Sequence, residues 1–114
     1  MLIPMADAHV ALNCQDISHC LAEGAYTRIV LKDASTLLIA KTLGNFLDDL
    51  PNLCYLRVSR SAVVNAFHID KINRGQRKVL LMNNGEIVEF TVPISEIVDF
   101  VNELFLGSRR SGTD

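Results

Sequence analysis

Few residues in this chain have types and spacings that suit chemistry. His9, Cys14, His19 and Cys20 cluster as metal-ligand types. A structural zinc site needs paired short knuckles, and this spacing supplies none. These residues read as ordinary strand positions, and no metal is expected. Ser59 and Ser61 flank Arg60, and His68 and Asp70 lie close by in sequence. A serine–histidine–aspartate set can be drawn on paper, but the chain has no GxSxG elbow to expose a nucleophile. It also has no GxxxxGK[ST] or GxGxxG phosphate loop. Gly75 stands alone in the basic turn Arg74-Gly75-Gln76-Arg77-Lys78. No catalytic set and no cofactor site emerge, so the residues argue for binding and not for an enzyme.

The charge pattern gives that binding a direction. Between Arg57 and Lys78 lie six basic residues (Arg57, Arg60, Lys71, Arg74, Arg77, Lys78) against one acid, Asp70, a local charge of +5. The rest of the chain sets five basic against twelve acidic residues, −7, so the net charge of −2 conceals a basic stretch on an acidic body. A single surface arginine is ordinarily only a solvated charge. Several on polar turns between strands can reach phosphates, or read guanine through two parallel hydrogen bonds. With no catalytic set beside them, they turn the reading toward nucleic acid.

These residues must be positioned by one domain. At 114 residues and 12.6 kDa there is material for a single core. Folding should bury roughly two-thirds of the unfolded surface, enough without staples. The chain is 49% apolar, has no Trp and is only 6% aromatic, so the core must be built from Leu, Ile and Val. No apolar run approaches the ~18 residues of a membrane span. The N-terminus lacks a basic stretch, and Asp7 and His9 interrupt its apolar residues, which argues against a secretory signal. Three cysteines with no CxxC pair suit a reducing cytoplasm, as small buried hydrophobes.

Periodicity predicts the elements. Met1–Leu12 reads as two short strands with a turn, Asp16–Ser18 as a turn or helical kink, and His19–Glu23 as a strand stopped by Gly24. Tyr26–Leu31 and Leu37–Ala40 flank a polar connection and predict a hairpin. Leu43, Phe46, Leu47 and Leu50 fall at helical spacing, with Thr42 as N-cap, Pro51 as stop and Gly44 as a weakness of roughly 1 kcal/mol. Tyr55–Val58 and Ala62–Asn65 are strands around the polar turn Ser59-Arg60-Ser61. Asn83-Asn84-Gly85-Glu86, between Val79–Met82 and Ile87–Val92, predicts a hairpin through a type I′ turn, with Val88, Phe90 and Val92 on one face. Ile97, Val98, Val101, Leu104 and Phe105 predict a C-terminal helix capped by Ser95 and stopped at Gly107, with a flexible tail over 107–114. The class is mainly β, with a short central helix and a C-terminal helix.

Against this pattern a family resemblance becomes visible. Ala22-Glu23-Gly24-Ala25-Tyr26-Thr27-Arg28-Ile29 resembles the "AeGnYtri" segment of LytTR-type DNA-binding domains. Lys41-Thr42-Leu43-Gly44-Asn45-Phe46 is similar to their "ktLgefe" helix, and Leu56 to Asn65 to their "FfRvHRSyiVN" signature. His68-Ile69, Asn84-Gly85 and Pro93-Ile94-Ser95 follow in family order. The resemblance covers about Ile3 to Phe105. It implies an elongated arrangement of small antiparallel sheets, a domain over 1–106, and the output domain of a bacterial transcription (response) regulator in the cytoplasm. The implied partner is double-stranded promoter DNA with imperfect direct repeats, gripped by inter-strand loops in the major groove. A receiver domain outside this chain and a homodimer on DNA are compatible with it, and a membrane partner is not implied.

Carried over residue by residue, the resemblance places contacts at Tyr26, Thr27 and Arg28, at Ser59, Arg60 and Ser61, and at Ser95-Glu96. Arg77 and Lys78 join them from the basic segment. Asn65 is read as structural, its amide satisfying local backbone groups, and Arg57 as serving either packing or phosphate. Two positions depart from the family: Ser59 replaces a common His, and Glu96 a common Arg. A carboxylate facing phosphates is repelled, though it can accept from a cytosine amino group. These departures support an alternative, a LytTR-like domain for protein–protein contact with weak or lost DNA binding.

Overall fold

Short stretches of alternating apolar residues assemble three antiparallel sheets in the computed structural model, which describes residues 1–5, 7–50 and 53–110, the last four by backbone alone. β1 (Leu2–Pro4) and β2 (His9–Ala11) form a hairpin of their own. The main sheet contains β3 (Ile17–Glu23), β4 (Tyr26–Leu31), β5 (Thr36–Ile39), β6 (Tyr55–Ser59) and β7 (Ala62–Asn65), in the order β5-β4-β3-β7-β6. The third sheet contains β8 (Ile69–Asn73), β9 (Val79–Met82) and β10 (Ile87–Glu89), in the order β10-β9-β8. Two α-helices, α1 (Leu43–Asp49) and α2 (Ile94–Arg110), complete the fold among the described residues. The extents are 45 × 39 × 24 Å, thin in one direction.

The main sheet separates two aliphatic cores. On one face Ile17, Cys20, Ile29, Ile39 and Val63 pack with Leu43 and Phe46 of α1 and Ile3 of β1. On the other, Val58, Ala62 and Val64 pack with Leu80 and Met82 of β9, Val88 of β10, Ile97 of α2, and Phe90 from the connection between β10 and α2. Strand alternation sends Val63 one way and its neighbours Ala62 and Val64 the other, and all four residues of β7 are buried. A register shift between Ile17 and His19 lets Ile17 and Cys20, three apart, enter the same core. A second shift lies between Arg57 and Ser59. The Val58 carbonyl beside it accepts the N–H groups of Thr91 (2.9 Å) and Val92 (3.2 Å), which leads the chain into α2.

The few buried polar side chains have partners. Asn65 Nδ2 donates to the Ile17 carbonyl (3.0 Å), and its Oδ1 accepts the Phe67 N–H (3.0 Å), so its structural reading holds. His19 Nδ1 is 2.9 Å from Ser18 Oγ, and its Nε2 is 3.5 Å from Glu86 Oε1 in the β9–β10 turn. His68 Nε2 bonds the Gln15 carbonyl at 2.7 Å, a structural role. Cys20 and Cys54 are buried and Cys14 half-buried, all as free thiols; burial pushes Cys20 up to about 12.

Several expectations change in detail. α1 forms despite Gly44, with Thr42 Oγ1 accepting from Asn45 N (3.4 Å), because Leu43 and Phe46 are buried beneath it; Pro51 lies outside the described residues. The β9–β10 turn is not type I′. Gly85 N donates to the Met82 carbonyl (2.9 Å), and Gly85 (φ +90°) is left-handed where Asn84 is not, the three-residue form with a glycine bulge. β10 ends at Glu89, because Thr91 and Val92 turn to Val58. α2 starts at Ile94, so Ser95 lies in its first turn and not at its cap, and it continues through Gly107 to Arg110. A glycine costs only about 1 kcal/mol within a helix, too little to stop it alone. Residues 111–114 of the expected tail lie outside the described residues. Strand β8 was not expected: a shift between Ile69 and Lys71 turns Ile69 and Ile72 to the same core and breaks the alternation a strand should show.

Two outcomes follow. Asn65→Ala leaves a buried carbonyl and a backbone N–H without their partners, and should cost about 2–4 kcal/mol in urea unfolding at neutral pH. Burial pushes the His19 pKa below its ordinary 6.5, against the pull of Glu86. The unfolded chain then takes up a proton near pH 6.5 that the folded chain refuses. This contribution is fully present above that pH and is lost as pH falls below it. The fall in stability from about pH 6.5 to about pH 5 should be shallower in His19→Asn.

Candidate nucleic-acid interface

Strand registers gather the predicted contact segments at one end of the molecule. Glu23 pairs with Tyr26, which closes the β3–β4 turn, and Leu21 pairs with Ala62, which brings the β6–β7 turn to the same end of the sheet. The Ala22 N–H donates to the Ser61 carbonyl at 2.8 Å and ties these turns together. The third sheet joins them. β10 leaves its sheet beside the β8–β9 loop, the Phe90 N–H bonding the Lys78 carbonyl, and runs to Val58 next to Ser59. α2 starts from this point, so Glu96 in its first turn belongs to the same end. The other turns, Lys32–Ser35 and Asn83–Glu86, meet at the opposite end, where Asn84 Nδ2 donates to the Leu31 carbonyl.

The side chains at this end have different duties. Tyr26 is exposed, and the turn before it relies on left-handed Gly24 (φ +61°). Thr27 is fully buried and its hydroxyl donates to the Lys41 carbonyl (2.7 Å), so the contact carried over to it is withdrawn. The alternation that exposes Tyr26 turns Thr27 inward. Arg28 is held by Glu23 through both Nε and Nη2, and its Nη1 reaches Thr36 Oγ1 at 3.4 Å. The Glu23 carboxylate raises the Arg28 pKa through the hydrogen bond and its charge. Glu23 neutralises this guanidinium and holds two of its five N–H groups, so its attraction for a phosphate is reduced.

The β6–β7 turn is built from within. Arg57 Nη2 donates to the Arg60 carbonyl (2.6 Å) and its Nε to the Ser59 carbonyl (3.2 Å), so Arg57 braces the turn. Ser59 Oγ accepts the Ser61 N–H at 3.2 Å and lies 3.4 Å from Ser61 Oγ. Arg60 projects from the tip, and among the described residues nothing engages its guanidinium. Ser59, Arg60 and Ser61 line a groove with Glu89 of the third sheet and Thr91 just beyond it. Glu89 also lies 3.7 Å from Arg77 Nη2, whereas exposed Lys78 has no such partner among the described residues. Glu89 was not anticipated. Its alternation with Val88 and Phe90 marks it as outward-facing, but only the path of the chain from β10 to Val58 puts it in one groove with Arg60. Among the described residues no three metal-ligating side chains converge, and no helix is long and apolar enough to cross a membrane.

This end presents inter-strand turns and the first turn of one helix, with both helices otherwise packed along the sheets. It is a mainly β domain with a surface made of loops. The family model of the LytTr DNA-binding domain matches residues 7–99. The chain therefore belongs to the LytTR family of DNA-binding domains. Among solved structures it is similar to the LytTr DNA-binding domain of a Bacillus cereus protein described as a methyl-accepting/DNA response regulator. The identity is 22%, the TM-score 0.71, and the match covers 89% of this chain and 94% of that one, a likeness of fold. No curated protein sequence matches the chain.

Proposed function

We propose that this domain binds double-stranded promoter DNA sequence-specifically, as the output domain of a bacterial transcriptional response regulator. The observation that carries the reading is the gathering of the β3–β4, β6–β7 and β8–β9 connections and the α2 entry at one end, with the unengaged Arg60 at a braced tip. Arg60 reads a base in the major groove, flanked by the Ser59 and Ser61 hydroxyls. Tyr26 contacts the DNA from the neighbouring turn, and Arg77 and Lys78 neutralise phosphates. Arg28 contributes less, because Glu23 offsets its charge. A receiver domain on the same polypeptide, imperfect direct repeats in the promoter, two copies on one DNA and a cytoplasmic location complete this reading, and no catalytic activity belongs to it. Glu89 and Glu96 favour a second reading, protein–protein contact with weak DNA binding, because both put a carboxylate where phosphates would approach.

Electrophoretic shifts on the regulator's own promoter at two salt concentrations separate the two. Four cations of the basic segment, Arg60, Lys71, Arg74 and Lys78, have no ion-pair partner among the described residues. If Lys71, Arg74 and Lys78 meet phosphates while Arg60 reads a base, log affinity should fall with log salt at a slope of up to about −3; a flat response selects protein contact. Arg60→Ala should keep its circular dichroism spectrum and lose roughly 1–3 kcal/mol of specific binding. Operator binding as tight as wild type would remove Arg60 from the interface. Glu96→Arg should tighten non-specific binding and steepen its salt dependence. Unchanged affinity at low salt would place the α2 entry away from DNA.

A further inference from the structure

Exposed apolar side chains are not scattered evenly over this domain. Met1, Leu2, Tyr26 and Leu38 are all more than a third exposed, and all line one cavity of about 620 Å³. The cavity lies between the β1 segment, the free edge of β5 and α1. Its inner wall includes side chains already committed to the core: Ile3, Ile39 and Phe46, each under 5% exposed. Met1 and Met5 add unbranched thioether chains that adapt to varied shapes. The size is that of a small-molecule site, in the usual range of ~300–1,000 Å³, and the predominantly apolar lining is also typical.

Its polar groups narrow the class of ligand. The charged side chains of the lining are Lys41 and Asp49, and they are bonded to each other, while the α-ammonium of Met1 is engaged by the Leu12 carbonyl at 3.1 Å. Lys41 is anchored at its backbone, where its carbonyl accepts from the buried Thr27 hydroxyl. The pair is net neutral. An anionic guest gains Lys41 but is repelled by Asp49, and a cationic guest meets the reverse. An uncharged polar group with a donor and an acceptor can bond to both without separating them.

We propose that this cavity binds an uncharged amphiphile: an apolar body lodged between β1, β5 and α1, with an amide- or alcohol-type end at the Lys41–Asp49 pair. Tyr26 forms part of its wall, so an occupant touches the first residue of β4 at the end where the contact turns gather.

The test does not depend on DNA. The chain has no Trp and two Tyr, of which Tyr55 is buried and Tyr26 is exposed in the cavity wall, so the part of the tyrosine emission that Tyr26→Phe removes reports this site. N-Phenyl-1-naphthylamine, an uncharged apolar probe, should bind wild type saturably with one molecule per chain and change the tyrosine emission. Tyr26→Phe should bind the probe without that change. Leu38→Glu, which puts a carboxylate on the apolar wall, should weaken the probe by about tenfold or more. Leu2→Glu provides the same check from the opposite wall should Leu38→Glu fail to fold. Decanamide should displace the probe at lower concentration than decanoate or decylammonium. Absence of saturable binding, or equal binding by a folded glutamate variant, would overturn the site. Equal displacement by the charged amphiphiles would overturn the ligand class.

Discussion

The fold depends on burying β7 on both faces. Four residues, Ala62 to Asn65, supply Val63 to the core beneath α1, and Ala62 and Val64 to the core beneath the third sheet and α2. Its pairing with β3 and β6 joins the two ends of the main sheet and sets the register between them. A slip of one residue would exchange the two faces and send Val63 into the wrong core. Asn65 secures that register at the end of the strand, because its amide completes two backbone bonds that would otherwise be left buried and open. The same register puts Ser61 opposite Ala22, so the constraint that fixes the core also sets the position of the Arg60 turn.

Charge at that end is divided between construction and availability. Arg57 and Glu23 are used inside the domain, one bracing carbonyls of the β6–β7 turn and the other holding Arg28 across the β3–β4 hairpin. Such bonds are modest individually, since exposed hydrogen bonds and ion pairs contribute little net stability. Their effect is geometric: those of Arg57 restrict the turn that carries Arg60, whose side chain is left for a partner. A cation on a restrained turn loses less freedom on binding than one on a mobile loop.

How much of this was legible in the sequence follows from where the signals are local. Gly85 announced the β9–β10 hairpin, yet the turn type was misread because Asn-Gly also fits the three-residue form, in which only the glycine is left-handed. The β4–β5 turn adopts that same form with Ala34 at φ 70° and no glycine to mark it, stabilised instead by Asp33 accepting from Ser35. Strand β8 was hidden because its register shift makes Ile69 and Ile72 share a face at a spacing of three. At the candidate site the signature residues picked out the tip, Arg60, but not the inward turn of Thr27 or the closeness of Glu89. Both depend on alternation phase and sheet pairing between residues far apart in the chain. The family resemblance supplied the order of the segments, and the registers brought them to one end.

The acidic neighbours bear on the proposed binding as a constraint on affinity. Of the six cations in the basic segment, Arg57 is spent within the fold and Arg77 lies beside Glu89. Four remain without such partners among the described residues, and Glu96 and Glu89 oppose them. On the proposed reading, one domain would then make few phosphate contacts, and its non-specific grip would be weak and readily screened. Weak background binding raises the share of discrimination that must come from base contacts such as that of Arg60, since phosphates carry no sequence information. It also makes linkage of two domains on neighbouring repeats effective. On the proposed repeats, a second linked domain would bind at a raised local concentration, and occupancy would grow without any new contact within either one. Low intrinsic charge complementarity and a repeated operator are therefore physically consistent: the first keeps a single domain from lodging on arbitrary DNA, and the second restores affinity where two sites are correctly spaced.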